Sequence, residues 1–227
     1  SELLEQGIHA LAITPIDDQK VIARLNELKA QGVAVVTFNA DADGVDKLAF
    51  VGCDYLKSGE IAGALMGMLH PQGAQVGIVT GSVKMLGHNR RIRGFNMVLK
   101  TEYPAVRIID IGENNDDNLQ SYQEVRTMLT RFPEINALYF TAAGVRGAIE
   151  AVEVLGRAGK IWIITFDETP FILNKLREGV ICATIGQQPV TQGYRAIRIV
   201  FDFLVQGKCP QEKQIYTQNE IKIKYSI

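Results

Sequence analysis

The chain repeats one pattern along almost its whole length: an apolar run typical of a β-strand ends in one polar residue, and a helical pattern follows. Alternating strands and helices predict a parallel sheet built from right-handed βαβ units. The polar residues that end four of the strands are Thr14, Asn39, Asp167 and Gln187. Because ligands bind at the carboxyl ends of the strands in open α/β sheets, the pattern predicts a polar pocket at these four positions.

The spacing of apolar residues locates the elements of this predicted α/β fold. Strands are predicted at residues 10–13, 33–38, 76–79, 106–111, 137–140, 161–165 and 181–186. Helices are predicted at about 17–31, 88–102, 116–131, 143–158 and 189–206. The last helix is predicted to bury a face that carries Tyr194, Ile197, Phe201 and Leu204.

Bulk composition argues against several classes of function. A net charge of -1 gives these residues no basic surface for nucleic acid. No run of about 18 apolar residues occurs, so we expect no membrane association, and the first residues lack the layout of a secretory signal. The three cysteines are widely spaced and the three histidines are scattered, so we expect no metal site. An odd number of separated cysteines favours a reducing compartment.

Motifs for cofactors and for covalent catalysis are missing from the sequence. It contains no G-x-G-x-x-G or P-loop pattern for a nucleotide. It also contains no G-x-S-x-G elbow and no Ser, Cys or His set placed for nucleophilic catalysis. We therefore expect no cofactor, and an enzyme is the least favoured class.

Two charged residues near predicted helix starts are candidates for ligand contacts. Arg91 falls in a first helical turn, where the helix dipole disfavours a cation. Its guanidinium is expected to face an anionic or hydroxyl-bearing partner, and a surface ion pair is the alternative. Asp167 precedes Thr169 and Pro170, which can start the next helix themselves. The Asp167 carboxylate can then face the pocket or, alternatively, serve the helix dipole.

The other candidate residues have structural alternatives as well. Asn39 can form a turn, Thr14 can close one, and Asp116 can cap the helix that follows it. Gln187 is followed by Gln188, so one of the two side chains is expected to face the pocket and the other to face water.

Four segments together resemble the signature of periplasmic-binding-protein type 1 domains. They are residues 50–55, 91–95, 165–170 and 179–189. This family includes ribose-binding-like solute receptors and the effector domains of lactose-repressor-type transcriptional regulators. The resemblance runs along essentially the whole chain. It implies two Rossmann-like lobes of parallel sheet flanked by helices, with the ligand pocket between them.

The resemblance also implies domain boundaries and ligand contacts. The first lobe would comprise residues 1–53 plus 188–217, and the second 54–187 plus 218–227. A small molecule, a sugar or sugar-like compound, would contact Thr14, Asn39, Arg91, Asp116, Asp167 and Gln187. One departure leaves the ligand open. Where the family often has an Asn-Asp pair after the strand at 137–140, this chain has Ala142 and Ala143.

The resemblance starts inside the second helix of the family's first lobe. The family's first strand, first helix and second strand have no counterpart, so we expect an incomplete first lobe and a fragment of a longer protein. An unpaired sheet edge and an uncovered helix face are expected there. Another copy of the chain is expected to supply the missing packing, which predicts a homodimer.

The polar loop at 39–47, the separated cysteines and the sequence at 215–221 favour one branch of the family. We expect the effector-binding and dimerisation domain of a cytoplasmic, lactose-repressor-type transcriptional regulator. Its DNA contacts would come only from a headpiece absent from this chain, and a bound sugar would favour one lobe arrangement. The alternative is an exported sugar-binding receptor of a transport system, and an enzyme on a Rossmann-like sheet is a remote third. The identity of the ligand stays open.

Overall fold

The computed structural model describes residues 6–82 and 84–227. The chain divides into two units, each with its own sheet. Unit 1 comprises Ser1–Asp54, Lys84–Leu86 and Gln187–Gln218, and unit 2 comprises Tyr55–Val83, Gly87–Gly186 and Asn219–Ile227. Both sheets are parallel apart from one edge strand, and helices pack against them. The predicted α/β class is confirmed.

Strands and helices alternate along most of the chain. In order they are β1 (Ala10–Ile13), α1 (Gln19–Ala30), β2 (Ala34–Phe38), β3 (Ala49–Cys53), α2 (Tyr55–Leu69), β4 (Gln75–Thr80), α3 (Leu86–Glu102), β5 (Arg107–Glu113), α4 (Asn118–Arg131), β6 (Ala137–Phe140), α5 (Val145–Val154), β7 (Trp162–Phe166), α6 (Pro170–Glu178), β8 (Ala183–Gly186), α7 (Pro189–Gln206), β9 (Gln214–Thr217) and β10 (Glu220–Lys222), followed by a 3-10 helix at Lys224–Ser226. The exceptions are β3, which follows β2 directly, and β10, which follows β9. Within this described part of the chain, no helix is long and apolar enough to cross a membrane.

Unit 1 contains a four-stranded sheet in the order β1-β2-β3-β9, in which every pair is parallel. Val35, Val36 and Val51 are fully buried in its central strands, as apolar side chains in a sheet covered on both faces should be. Helix α1 buries Leu25 and Leu28. Together with Val21 they form one apolar stripe, with spacings of four and then three residues. The sheet places the carboxyl ends of β1 and β2 side by side.

Helix α7 contacts the sheet of unit 1 through a different face from the predicted one. Ala196 is fully buried, and Ile199 and Val200 pack beside it against the sheet. The side chains predicted to be buried are exposed instead: Tyr194 is 67% exposed, Ile197 61%, Phe201 48% and Leu204 48%. The prediction was wrong because the buried face of the helix carries Gln192 and Ala196, and the Gln192 Nε2 donates to the Gln187 carbonyl oxygen at 2.7 Å.

Unit 2 contains a six-stranded sheet in the order β10-β8-β7-β6-β4-β5. β10 is antiparallel to β8, and the other pairs are parallel. Helices α4, α5 and α6 contribute to one apolar core, and α2 and α3 to another. In the second core the rings of Phe95 and Tyr139 stack with their centroids 4.3 Å apart, a favourable arrangement of two buried aromatic side chains.

Helices α2 and α3 approach closely because glycines lie where they meet. A Cβ atom at Gly94 of α3 would overlap the carbonyl oxygen of Leu56, and one at Gly59 of α2 would overlap the carbonyl oxygen of Arg91. Neither glycine has a positive φ, so the requirement is for space rather than for backbone conformation. Because Gly59 lies against the backbone of Arg91, this contact fixes the position from which the Arg91 side chain extends.

Replacing Gly94 by Ala is expected to destabilise the protein by about 1 to 3 kcal/mol, because the added methyl group forces α2 and α3 apart. The matched control is Gly193→Ala in α7, where an added Cβ meets nothing within 4 Å. That change is expected to stabilise by up to about 1 kcal/mol, since alanine is the better helix former. Denaturant unfolding measures both, and equal effects would contradict the proposed steric contact.

Candidate functional site

Each of the four polar residues that the sequence pattern singles out directly follows a strand. Thr14 follows β1, Asn39 follows β2, Asp167 follows β7 and Gln187 follows β8. Thr14, Asn39 and Gln187 belong to unit 1, whereas Asp167, Arg91 and Asp116 belong to unit 2. The six predicted site residues therefore form two sets, one in each unit; all of them follow strands except Arg91, which lies in α3.

In unit 1, Thr14 and Asn39 lie at neighbouring strand ends. The Thr14 hydroxyl donates to the carbonyl oxygen of Phe38 at 2.9 Å, which leaves its oxygen able to accept. Asn39 is exposed and has a φ of 60°, and its backbone N–H donates to the Val51 carbonyl oxygen at 2.9 Å. The pair presents a hydroxyl and an amide at one edge of the sheet.

Gln187 is almost fully buried and is held from three sides within unit 1. Its side-chain Oε1 accepts from the Cys53 thiol at 3.2 Å. Its backbone carbonyl accepts from Gln192 Nε2 at 2.7 Å and from the Thr217 hydroxyl at 2.9 Å. Gln188 differs, since its Oε1 accepts from the backbone N–H of Gln218 at 3.3 Å. The first glutamine is thus the one fixed inside the unit.

In unit 2, the Arg91 side chain is buried, with only 4% of the residue exposed. Its Nη1 donates to the carbonyl oxygen of Thr141 at 2.7 Å. The guanidinium carbon lies 3.7 Å from the ring centroid of Phe166 and 5.0 Å from that of Tyr55, within the range of a cation–π contact. This is not the environment of a solvated surface ion pair, which was the alternative for Arg91.

Asp167 follows Phe166 directly and adopts a left-handed backbone conformation with a φ of 73°. Its backbone N–H donates to the Ile185 carbonyl oxygen at 3.1 Å, and its own carbonyl oxygen accepts from the Thr184 hydroxyl at 2.7 Å. Thr169 caps α6 by accepting from the N–H of Ile172 at 3.3 Å. The side-chain cap of α6 is therefore supplied without Asp167.

The structural alternative for Asp116, that it caps the following helix α4, is not what the structure shows. The N-cap is Asp117, whose carboxylate accepts from the N–H of Gln120 at 2.9 Å. Asp116 Oδ1 instead accepts from the backbone N–H of Ala143 at 2.9 Å. The carboxylate thus holds the loop between β6 and α5.

Asn114 is a structural partner of this site that the sequence reasoning missed. It is fully buried, and its Nδ2 donates to the Ala143 carbonyl oxygen at 2.8 Å while its Oδ1 accepts from the Asp116 N–H at 2.9 Å. It directly follows β5. The rule that found Thr14 could have found Asn114, had it been applied to the end of this strand as well.

Backbone strain concentrates at the predicted site residues. In residues 6–82 and 84–227, five non-glycine residues have a positive φ: Asn39, Asn115, Asp116, Asp167 and Gln188. Three of them are candidates from the sequence. Such a conformation costs on the order of 1 to 3 kcal/mol and persists where the surroundings enforce it, often at ligand sites.

A cavity of about 360 Å³ opens beside Asp167 within unit 2. Its walls include the loop at Ala142 and Ala143, the buried ring of Phe166 and the start of α6. Pockets for small molecules begin at about this size. In the described residues, no group of three or more His, Cys, Asp or Glu side chains is placed to hold a metal ion.

His88 lies close to the charged residues of unit 2. A Cβ atom at Gly81 would lie 2.7 Å from His88 Cε1 and 2.6 Å from Asp116 Oδ2, so both side chains reach this glycine. Burial lowers the pKa of His88, the Arg91 guanidinium lowers it further, and Asp116 acts in the opposite direction. The imidazole is therefore neutral at pH 7, which avoids a second cation near Arg91.

Comparisons with known proteins identify what the chain is similar to. Residues 1–208 match the model of a family described as periplasmic binding protein domain. The chain is 26% identical over 204 residues to the ribose import binding protein RbsB of Bacillus subtilis, covering 89% of this chain and 65% of the relative. It is 24% identical over 220 residues to the D-ribose/D-allose-binding protein of Pseudomonas aeruginosa, covering 94% and 68%. The chain thus spans about two thirds of the length of these relatives.

A solved structure shows the same fold. GanP, a glucose-galactose binding protein from Geobacillus stearothermophilus, superposes with a TM-score of 0.92 and 27% sequence identity. The match covers 100% of this chain and 80% of GanP.

These relatives overturn the expectation of a cytoplasmic, lactose-repressor-type transcriptional regulator. Their names describe import-binding and sugar-binding proteins, and the matched family is described as periplasmic. The prediction of a transcriptional regulator in the cytoplasm was therefore wrong. Receptors and regulators of this type share one fold, so motifs that specify the fold do not separate the two functions.

The lowered pKa of His88 predicts an acid-sensitive fold. The contribution of His88 to the free energy of unfolding is fully present above the pKa of a histidine in the unfolded chain, about 6.5. It is lost as the pH falls through the lower folded-state pKa, because the unfolded chain then binds the proton more readily. His88→Gln is expected to flatten this loss between pH 7 and pH 5, as measured by denaturant unfolding at each pH. His70, whose pKa burial also lowers, retains part of the slope.

The control for removing a histidine is His9→Gln, because His9 is exposed. A pH dependence that is the same in His88→Gln and in His9→Gln would contradict the assignment.

Proposed function

Since the chain belongs to the periplasmic binding protein domain family, we propose that it is a sugar-binding receptor of a transport system. The observation that carries the proposal is the buried guanidinium of Arg91, held against the ring of Phe166 one residue before Asp167. In unit 2 a buried cation lies against an aromatic ring, and the carboxylate-bearing Asp167 is the next residue of the chain after that ring. The names of the relatives support sugars as the ligand class.

The charges of this group favour a neutral polyhydroxylated ligand. A guanidinium donates to two adjacent acceptors through its planar fork, whereas a carboxylate only accepts. A sugar hydroxyl can accept from Arg91 or donate to Asp167, so adjacent hydroxyls satisfy both groups. Because unit 2 offers charges of both signs, we expect a neutral ligand with several hydroxyls to use them better than a ligand of one charge.

The proposal extends to the residues of unit 1. Thr14 would accept from a sugar hydroxyl, because its own proton is donated to Phe38. The amides of Asn39 and Gln187 can donate as well as accept. Asp116 acts differently in this proposal: it holds the Ala143 backbone and contributes to the site chiefly by fixing that loop.

The proposed receptor would work outside the cytoplasm and deliver its ligand to a membrane transporter. The names import binding protein and periplasmic binding protein domain support this placement. The relatives are named as binding proteins, and we propose no catalytic step. The homodimer stays a prediction, which light scattering of the purified protein can test.

Calorimetry with D-ribose, D-allose, D-xylose, D-arabinose, D-glucose and D-galactose tests the function. We expect at least one of them to bind. Arg91→Ala and Asp167→Asn are each expected to weaken that binding by about 2 to 5 kcal/mol, because each strips a partner from a buried charged contact.

The matched control is Arg93→Ala, which removes an exposed arginine from the same helix. It is expected to leave the affinity unchanged. Melting temperatures of all three variants separate lost binding from lost folding. If Arg91→Ala and Asp167→Asn fold and bind as tightly as Arg93→Ala, the site is misplaced; if none of the six sugars binds, the proposed function is wrong.

A further inference from the structure

The cavity beside Asp167 offers a ligand more carbon surface than hydrogen-bonding groups. Its lining side chains are mostly apolar: Ala142, Ala143, Val145, Phe166, Phe171 and Ile172. A buried hydroxyl that finds no hydrogen-bond partner costs about 1 to 3 kcal/mol. A bare sugar ring extending from Asp167 into this space would leave hydroxyls facing carbon.

Three of the polar side chains at the cavity already have tasks within unit 2. Thr169 accepts from the Ile172 N–H at 3.3 Å and caps α6. Asn118 Oδ1 accepts from the Gly147 N–H at 3.4 Å. The guanidinium of Arg146 lies over the ring of Phe171, with the guanidinium carbon 4.6 Å from the ring centroid. Asp167 is the carboxylate on the lining.

The alanine wall of the cavity is held in place rather than adaptable. The Ala143 N–H donates to Asp116 Oδ1 at 2.9 Å, and the Ala143 carbonyl accepts from Asn114 Nδ2 at 2.8 Å. Both backbone polar groups of Ala143 are therefore occupied inside the unit. The side chains of this wall that line the cavity are therefore the methyl groups of Ala142 and Ala143.

We propose that the cavity binds an apolar aglycone, so that an aryl or alkyl glycoside is bound more tightly than the free sugar. This inference rests on the proposed function, in which Asp167 holds the sugar ring. The aglycone would lie between the alanine wall and Phe171, both of which line the cavity. The volume of about 360 Å³ exceeds what a single methyl substituent would fill.

The test compares matched ligands by calorimetry on the whole chain. D-glucose, D-galactose, D-xylose and D-ribose are each measured as the free sugar, as the methyl glycoside and as the phenyl glycoside. Both anomers of each glycoside are measured. For at least one sugar we expect the phenyl glycoside to bind at least tenfold tighter than the methyl glycoside. Methyl and phenyl glycosides share the same hydroxyls, so their ratio reports the aglycone alone.

Two variants locate the effect. Ala142→Leu and Ala143→Leu fill the cavity and are each expected to reduce the phenyl preference below threefold; Ala143 is exposed, so the second variant does not depend on repacking a buried position. Ala158→Leu adds the same side chain at an exposed position outside the cavity and is expected to keep the tenfold preference.

Each outcome discriminates. Free sugars that bind while phenyl glycosides gain nothing over methyl glycosides overturn the aglycone site and leave the sugar receptor standing. A phenyl preference that survives both cavity-filling variants places the aglycone elsewhere and also overturns this inference. If none of these ligands binds, the aglycone site is overturned for these four sugars, and the receptor itself is judged by calorimetry with all six sugars.

Discussion

The buried guanidinium of Arg91 is the interaction on which the site in unit 2 depends. A cation can be removed from water only if its charge and its N–H groups are compensated. The Thr141 carbonyl and the ring of Phe166 supply part of that compensation. The glycine contact between α2 and α3 sets where the side chain starts. A change at any of these points would move the charge, and a sugar hydroxyl that relied on it would lose its donor.

A second constraint is the clamp on the loop that joins β6 to α5. Asn114 and Asp116 come from the end of β5, and both bind the backbone of Ala143. Asp116 reaches it from a left-handed conformation with a φ of 60°. The strain is compensated by hydrogen bonds that a relaxed loop would not make. The clamp gives unit 2 a rigid wall of small apolar side chains, which is why we assign that wall to the selection of a substituent and not to a hydroxyl.

The segments that identify the family do not separate its receptors from its regulators. The segments that resemble periplasmic-binding-protein type 1 domains identify the family, because they specify strand ends, helix starts and close packing. They are shared by receptors and regulators alike, so they carry no information about which of the two a chain is. The separated cysteines favour a reducing compartment in the sequence, and this prediction pointed to the cytoplasm. In the structure Cys53 is a buried core residue whose thiol donates to Gln187 Oε1. Its presence reflects packing, which is independent of compartment.

The sequence by itself determined the α/β class and the positions of Thr14, Asn39, Asp167 and Gln187 at strand ends, because apolar periodicity and the polar residue that ends each run are local signals. The periodicity did not locate β3 or α2. In α2, apolar residues and glycines lie on all sides of the helix, so no single apolar face marks it. Only the tertiary structure decided that Arg91 is buried, that Asp117 and not Asp116 caps α4, and that α7 turns Tyr194 and Phe201 outward. The burial of Arg91 and the outward face of α7 are set by side chains that are distant in sequence. Asp116 leaves the cap to Asp117 because its own carboxylate accepts from the Ala143 N–H, 27 residues away. Neighbouring residues in the chain do not specify such contacts.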